Sequence, residues 1–178
     1  MAIPIDVEVG LSDLMKRRTA RGYQQSAWIK RHSLPVISFR INMPGPVKMN
    51  HASLKVMNAG LQAVRKICAE NGWTIIGSQK INEKTGPEAM ICIQVPSATL
   101  LKKAMMEIEN THPLGRLMDL DVIDAEGKVI SRQGVQLPRR RCLLCEKDGK
   151  LCARSRRHDL SDLMAVIEEM THDYECYA

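Results

Sequence analysis

Aromatic side chains are scarce in this chain, with one Phe, two Trp and three Tyr among 178 residues. So few rings leave little on which bases could stack, which argues against single-stranded nucleic acid as a ligand. No apolar run approaches the ~20 residues of a membrane-spanning helix. The opening Met1-Ala2-Ile3-Pro4-Ile5-Asp6 lacks the basic start and apolar stretch of a secretory signal. A cytoplasmic protein is therefore expected, in which six cysteines serve as thiols or metal ligands instead of disulfides. Low-complexity segments, internal repeats and clean linkers are lacking too, so residues 1–178 read as a single domain.

Hydrophobic residues make up 44% of the chain, enough for a packed core. The net charge of +6 is not spread evenly. Pro138 to His158 carries eight Lys and Arg against Glu146 and Asp148, which leaves the rest of the chain neutral. Such a segment suits a polyanion or an acidic partner, although a solvated basic loop would have the same composition.

Periodicity orders the elements. Val7 to Arg31 has helical spacing at Leu11, Leu14, Met15 and Arg18, with Lys16, Arg17, Arg18 and Arg21 read as a solvated face. Val36–Ile41 alternates as a strand and ends at the turn Asn42-Met43-Pro44-Gly45-Pro46. Leu54, Met57, Leu61, Val64, Ile67 and Cys68 mark a helix from about His51 to Glu70, stopped by Asn71-Gly72. Trp73 to Ile81 and Ala89 to Val95 read as a hairpin around the loop Asn82 to Pro87. Ser97 caps a further helix with Leu101, Ala104, Met105 and Ile108 on its buried face. Arg116 to Asp124 reads as a strand, Glu126-Gly127 as a turn and Lys128 to Ile130 as a short return strand. A last helix runs from about Leu160 to Thr171.

The order βαββαβ predicts an α+β fold with a ferredoxin-like core over about 36–131 and flanking N- and C-terminal helices. The basic, cysteine-containing segment 138–158 follows that core. Cys68 and Cys92 fall in apolar periodic segments and read as core residues, and Cys176 has no role assigned.

Three constellations carry chemistry. Asp119 and Asp121, at i and i+2 on a strand, project from one face with Cα atoms roughly 6.5–7 Å apart. Two half-buried like charges call for a cation between them, and Mg²⁺ held against substrate phosphates is the usual one. Gly115 would let a ligand approach the backbone, and Arg116 would supply a bidentate phosphate donor. Asp124, Glu126 and Glu88 are candidates for a third acid that the sequence does not rank. Gly77-Ser78 is too distant to complete a polymerase-β-type signature.

Cys142-x₂-Cys145 with Cys152 and His158 could form a Cys₃His zinc site, or the cysteines are simply buried in a loop. The turn Asn42 to Lys48 could present Lys48 to a phosphate, or be only a turn.

Jointly, three motifs resemble the apo-citrate lyase phosphoribosyl-dephospho-CoA transferase family, also called the citrate lyase holo-acyl-carrier-protein synthases. They are Asn-Met-Pro-Gly-Pro-Val-Lys at 42–48, His-Pro-Leu-Gly-Arg-Leu-Met-Asp-Leu-Asp-Val at 112–122, and the Cys, Arg and His run at 140–158. The resemblance extends over nearly the whole chain. It implies a nucleotidyltransferase that moves the prosthetic group of 2′-(5″-triphosphoribosyl)-3′-dephospho-CoA to a serine of the citrate lyase acyl carrier protein, releasing pyrophosphate. Asp119 and Asp121 would then bind Mg²⁺, and Arg116 would contact the phosphates. Gly115, Lys48, Arg154, Arg156, Arg157 and His158 would line the substrate or steer the carrier. Neither nucleic acid nor membrane is expected as a partner. The competing reading from another class is a zinc-stapled nucleic-acid-binding module without catalysis.

Overall fold

A computed structural model describes residues 2–177, the side chains of Cys176 and Tyr177 apart. Helix α1 spans Leu11–His32, followed by β1 Val36–Ile41, α2 His51–Asn71, β2 Thr74–Glu83, β3 Gly86–Gln94 and α3 Ala98–Thr111. A 3₁₀ turn, Gly115–Leu117, leads into β4 Met118–Ile123, and β5 Val129–Ile130 returns beside it. Helices α4 Gly149–Ser155 and α5 Leu160–Tyr177 close the chain. The expected βαββαβ succession is therefore present within an α+β domain. The five strands form one antiparallel sheet in the order β2-β3-β1-β4-β5, so each strand–helix–strand unit has another strand inserted between its two strands.

Alternation along β1 decides what each face of the sheet meets. Ile37 and Phe39 join Ile91, Ile93, Leu120 and Val122 on one face, against Val56 and Met57 of α2, Leu101 and Met105 of α3, and Ile167 of α5. Gly60 lies in α2 because a β-carbon there would fall 2.3 Å from the Phe39 ring. Cys68 and Cys92 are buried, as expected of core cysteines, and burial pushes both thiols up.

The opposite face grades from apolar to charged in three rungs across β3, β1 and β4. The rungs are Cys92, Val36 and Ile123, then Met90, Ser38 and Asp121, then Glu88, Arg40 and Asp119. Helix α1 follows the same gradient at four-residue spacing. Ile29 packs on the apolar rung, Gln25 donates to Ser38 Oγ at 2.9 Å, and Arg21 and Arg17 bind Glu88.

That contact corrects the reading of α1. Arg17 is buried and Arg21 nearly so, while Leu11 and Met15 are largely exposed. The helix lays a polar stripe on a polar sheet face, so its hydrophobic spacing pointed to the wrong side. Other boundaries differ as well. Asn82 and Glu83 pair with Pro87 and Gly86, which reduces the expected six-residue loop to a tight turn at Lys84-Thr85. Arg116 sits in the 3₁₀ turn instead of on the strand, α5 runs past Thr171, and α4 is an addition. The ends of α2 and the start of α3 agree with expectation. Asn50 and Ser53 form a capping box, Gly72 closes α2 at φ 68°, and Ser97 Oγ accepts from Thr99 N at 3.1 Å.

Strand β5 covers only Val122 and Ile123 of β4. Side chains satisfy the exposed remainder of that edge, as buried backbone groups require. Glu109 accepts from Leu120 N at 2.9 Å, Lys102 donates to Leu120 O at 3.0 Å, and Arg140 donates to Met118 O. Glu109 in turn pairs with Arg132 and, at 2.6 Å, with Arg140. The basic segment is thereby fastened along the acidic strand.

Candidate active site and metal centre

Asp119 and Asp121 share the sheet face that α1 partly covers, both half-buried. Opposite Asp119 in the ladder stands Arg40. Its Nη2 donates to Asp121 Oδ2 at 2.9 Å and to Asp119 Oδ2 as well, so the two carboxylates converge on one nitrogen. Burial disfavours the Arg40 charge, but the two carboxylates more than offset this and raise its pKa. Burial likewise pushes the Asp121 carboxyl above its ordinary value. The Asp119 charge adds to that rise, and Arg40 and Lys102 oppose it. The cation expected between the acids is thus, in the protein alone, a guanidinium.

The third-acid candidates separate cleanly. Glu88 is on the same rung beyond Arg40, but its Oε1 accepts from Arg21 at 2.7 Å and its Oε2 from Arg17 at 2.9 Å. Asp124 Oδ1 accepts from the backbone N–H of Glu126 and Lys128 at 3.0 and 2.8 Å, which shapes the turn before β5. Glu126 is exposed and lines a cleft of about 350 Å³ beside Gln25, Ile29, Lys30, Ser33 and Ile123.

Among the described residues, no hydrogen bond or ion pair joins the other predicted binding residues to the pair. Gly115 is buried against α3, where a β-carbon would lie 2.4 Å from Ile108 O. The backbone of α3 thus approaches Gly115 closely. Arg116 donates to Cys142 O at 2.5 Å and lines a second cleft, about 380 Å³, with Arg132, Arg139, Arg140 and Arg141. Lys48 donates to Met43 O at 2.6 Å, and its burial lowers its pKa. Arg154, Arg156 and Arg157 are exposed at the end of α4. Sequence reasoning missed Arg40, Ser38 and Gln25. The available signal was the polar parity of Ser38 and Arg40 within an otherwise apolar strand.

The second constellation does assemble. Cys142 and Cys145 belong to a tight loop closed by Cys142 N–H to Lys147 O at 2.7 Å, and Asp148 caps α4, which carries Cys152. Arg156, at φ 48°, ends that helix and turns the chain toward His158. The ligand atoms of Cys142, Cys145, Cys152 and His158 all lie within 4.8 Å of one another. His158 Nε2 is buried with no hydrogen-bond partner, an uncommon condition that a metal would relieve. The pKa of Cys142 is lowered: burial works against this, but backbone N–H groups of Leu144 and Cys145 favour its thiolate. Four soft or imidazole donors in one closed cluster constitute a group able to hold a metal ion.

Residues 9–174 match the family model described as apo-citrate lyase phosphoribosyl-dephospho-CoA transferase. A Vibrio cholerae serotype O1 (strain M66-2) protein described as "Probable apo-citrate lyase phosphoribosyl-dephospho-CoA transferase" is 61% identical over 173 residues, covering 97% of each chain. Proteins named as that transferase are 40% identical over 167 residues in Escherichia coli O6:K15:H31 (strain 536 / UPEC) and Shigella boydii serotype 18 (strain CDC 3083-94 / BS512). Each alignment covers 94% of this chain and 91% of the relative.

Proposed function

The chain belongs to the apo-citrate lyase phosphoribosyl-dephospho-CoA transferase family, and on that premise we propose that it attaches the prosthetic group of citrate lyase. The substrate is 2′-(5″-triphosphoribosyl)-3′-dephospho-CoA and the acceptor a serine of the acyl carrier protein. The serine hydroxyl attacks the α-phosphorus, the bond to pyrophosphate breaks, and a phosphodiester remains. The observation that carries this reading is the Asp119–Asp121 pair within a family match spanning residues 9–174. The alternative of a nucleic-acid-binding module receives no support from the relatives' names. The basic segment also spends several of its charges internally, on Glu109, Glu146 and Asp148.

Asp119 and Asp121 are hard oxygen donors whose Oδ2 atoms already surround one cationic atom, so the pair fits Mg²⁺. When bound there, Mg²⁺ neutralises the polyphosphate and favours departure of pyrophosphate. The serine proton passes to the aspartate pair or to a water they hold. Arg116, in the basic cleft along β4, and Lys48 supply further positive charge toward the phosphates, with Gly115 setting the position of the Arg116 turn. Arg154, Arg156 and Arg157 face solvent and steer an acidic carrier toward this side of the molecule.

Cys142, Cys145, Cys152 and His158 would hold Zn²⁺ as a closed structural site, stapling the segment from which Arg140 reaches β4. Within this segment His158 is a metal ligand first. No helix among the described residues is long and apolar enough to cross a membrane.

Mass spectrometry of apo-carrier mixed with the protein, the triphosphoribosyl precursor and Mg²⁺ tests the proposal. The carrier is expected to gain the mass of the phosphoribosyl-dephospho-CoA group. An unchanged carrier mass overturns it.

A further inference from the structure

The protein keeps its own cation where Mg²⁺ is expected. We propose that Arg40 is a positioning residue that stands in for the metal, holding Asp119 and Asp121 together in the free protein and yielding them when a metal–polyphosphate arrives. This inference rests on the metal-assisted transfer proposed above.

The convergence of the two acids is the first support. A single Nη2 serves Oδ2 of both aspartates, so their oxygens are gathered about one point. Independent surface ion pairs have no need of that arrangement, whereas a divalent cation does. The ladder enforces it, because Arg40 and Asp119 are direct partners across β1 and β4, and Asp121 follows on the same face.

The second support is the unfinished state of the guanidinium. Arg40 Nε is buried and has no acceptor, although buried donors are nearly always satisfied. That N–H is a buried donor left for an anionic oxygen, and a guanidinium presenting Nε and Nη2 together matches a phosphate.

The third support is the state of the remaining acid on the rung. Glu88, the neighbouring acid on the same rung, is already bound by Arg17 and Arg21. If Arg40 leaves the aspartates, Glu88 attracts it without a direct hydrogen bond, and an incoming anion offers it a closer partner than water does. Free Mg²⁺ therefore competes with Arg40 for the carboxylates, while Mg²⁺ bound to a polyphosphate brings both the replacement cation and the anion that Arg40 needs. Metal and phosphate binding become coupled through one side chain.

Equilibrium dialysis of the protein against Mn²⁺, read as metal held on the protein side in excess of the protein-free side, tests this without carrier or substrate. The wild type is expected to bind Mn²⁺ weakly alone and roughly tenfold more tightly with inorganic tripolyphosphate. In Arg40→Gln, Mn²⁺ alone is expected to bind about tenfold more tightly than in the wild type, with most of the tripolyphosphate dependence lost. Adding Asp119→Asn is expected to abolish the gain. A folded Arg40→Gln protein with unchanged Mn²⁺ affinity and unchanged coupling overturns the proposal. If Arg40→Gln does not fold, the equally neutral Arg40→Met replaces it, and there too tighter Mn²⁺ binding supports the role and unchanged affinity ends it. Carrier modification by the wild type is a separate readout. Persistent modification with no Arg40 effect sinks only the stand-in role, and no modification with the Arg40 effect intact sinks only the transferase reading.

Discussion

Gly115 lies so close to the last turn of α3 that a β-carbon on it would sit 2.4 Å from the carbonyl oxygen of Ile108. Backbone carbonyls of a packed helix cannot move aside as a flexible side chain can. Gly115→Ala is therefore expected to lower stability by about 1–3 kcal/mol, in the range of other overpacked sites. Chemical denaturation measures it. Transfer activity per folded molecule should change far less than the stability, because the clash is with the α3 backbone at Ile108 and Glu109, whereas the aspartates are held by Arg40 of β1. An unaltered denaturation midpoint would remove this account of the glycine.

Glu88 holds Arg17 and Arg21 in a region where both side chains are largely withdrawn from water. Its burial acts to raise its pKa, but hydrogen bonds from Arg21 and then Arg17 outweigh that and hold it below the ordinary 4.5. A carboxylate with a depressed folded-state pKa adds stability that is complete above its unfolded value and is lost as pH falls through the folded value. Glu88→Gln takes the shared counterion from two guanidinium groups, leaving Arg17 only the more exposed Glu83 at 3.9 Å, and is expected to cost about 3–5 kcal/mol at neutral pH. Its stability should also fall less steeply than that of the wild type between about pH 4.5 and the acid limit. Equal acid sensitivity of the two proteins would show that Glu88 is not the responsible group.

What could be read from the chain was local. The alternation of Val36–Ile41, the caps of α2 and α3, the single face of Asp119 and Asp121 and the Cys₃His cluster are all set within a few tens of residues. Arg40 is 79 residues from Asp119, and Glu88 is 71 from Arg17. Those partnerships depend on strand register and on where α1 docks, which periodicity does not specify. Arg17 and Arg21 were misread for a related reason. A charged helix face signals solvent unless the sheet beneath it is charged too, and only the assembled rungs reveal that.

The Cys142, Cys145, Cys152 and His158 cluster predicts about one equivalent of zinc in protein purified without an affinity tag. A chelator should then expose residues 138–158 to protease while the sheet remains protected, because a bound metal would staple that segment, which adds only the partly buried Leu143 to the main core among the described residues. Cys152→Ser is expected to show the same cleavage without chelator. Limited proteolysis followed by mass spectrometry of the fragments reads both. Metal-free protein with an uncleaved segment would leave the cluster as four packed side chains.

Asp121 offers a test in which function and stability move apart. Burial, and then the Asp119 charge, place its carboxyl pKa above the ordinary 3.8. Such a group costs the folded protein free energy while ionised, and that cost fades only as pH falls through the raised folded-state value. Asp121→Asn removes the ionisation and leaves Arg40 paired with Asp119. In the presence of a chelator at neutral pH, the variant should melt no lower than the wild type. Carrier modification should fall by about a hundredfold or more, the scale on which a lost electrostatic partner is felt in a transition state. A structural ion pair predicts the reverse, with a clear drop in Tm and activity that merely follows the folded fraction. Thermal melts and initial rates on the same preparations decide between them.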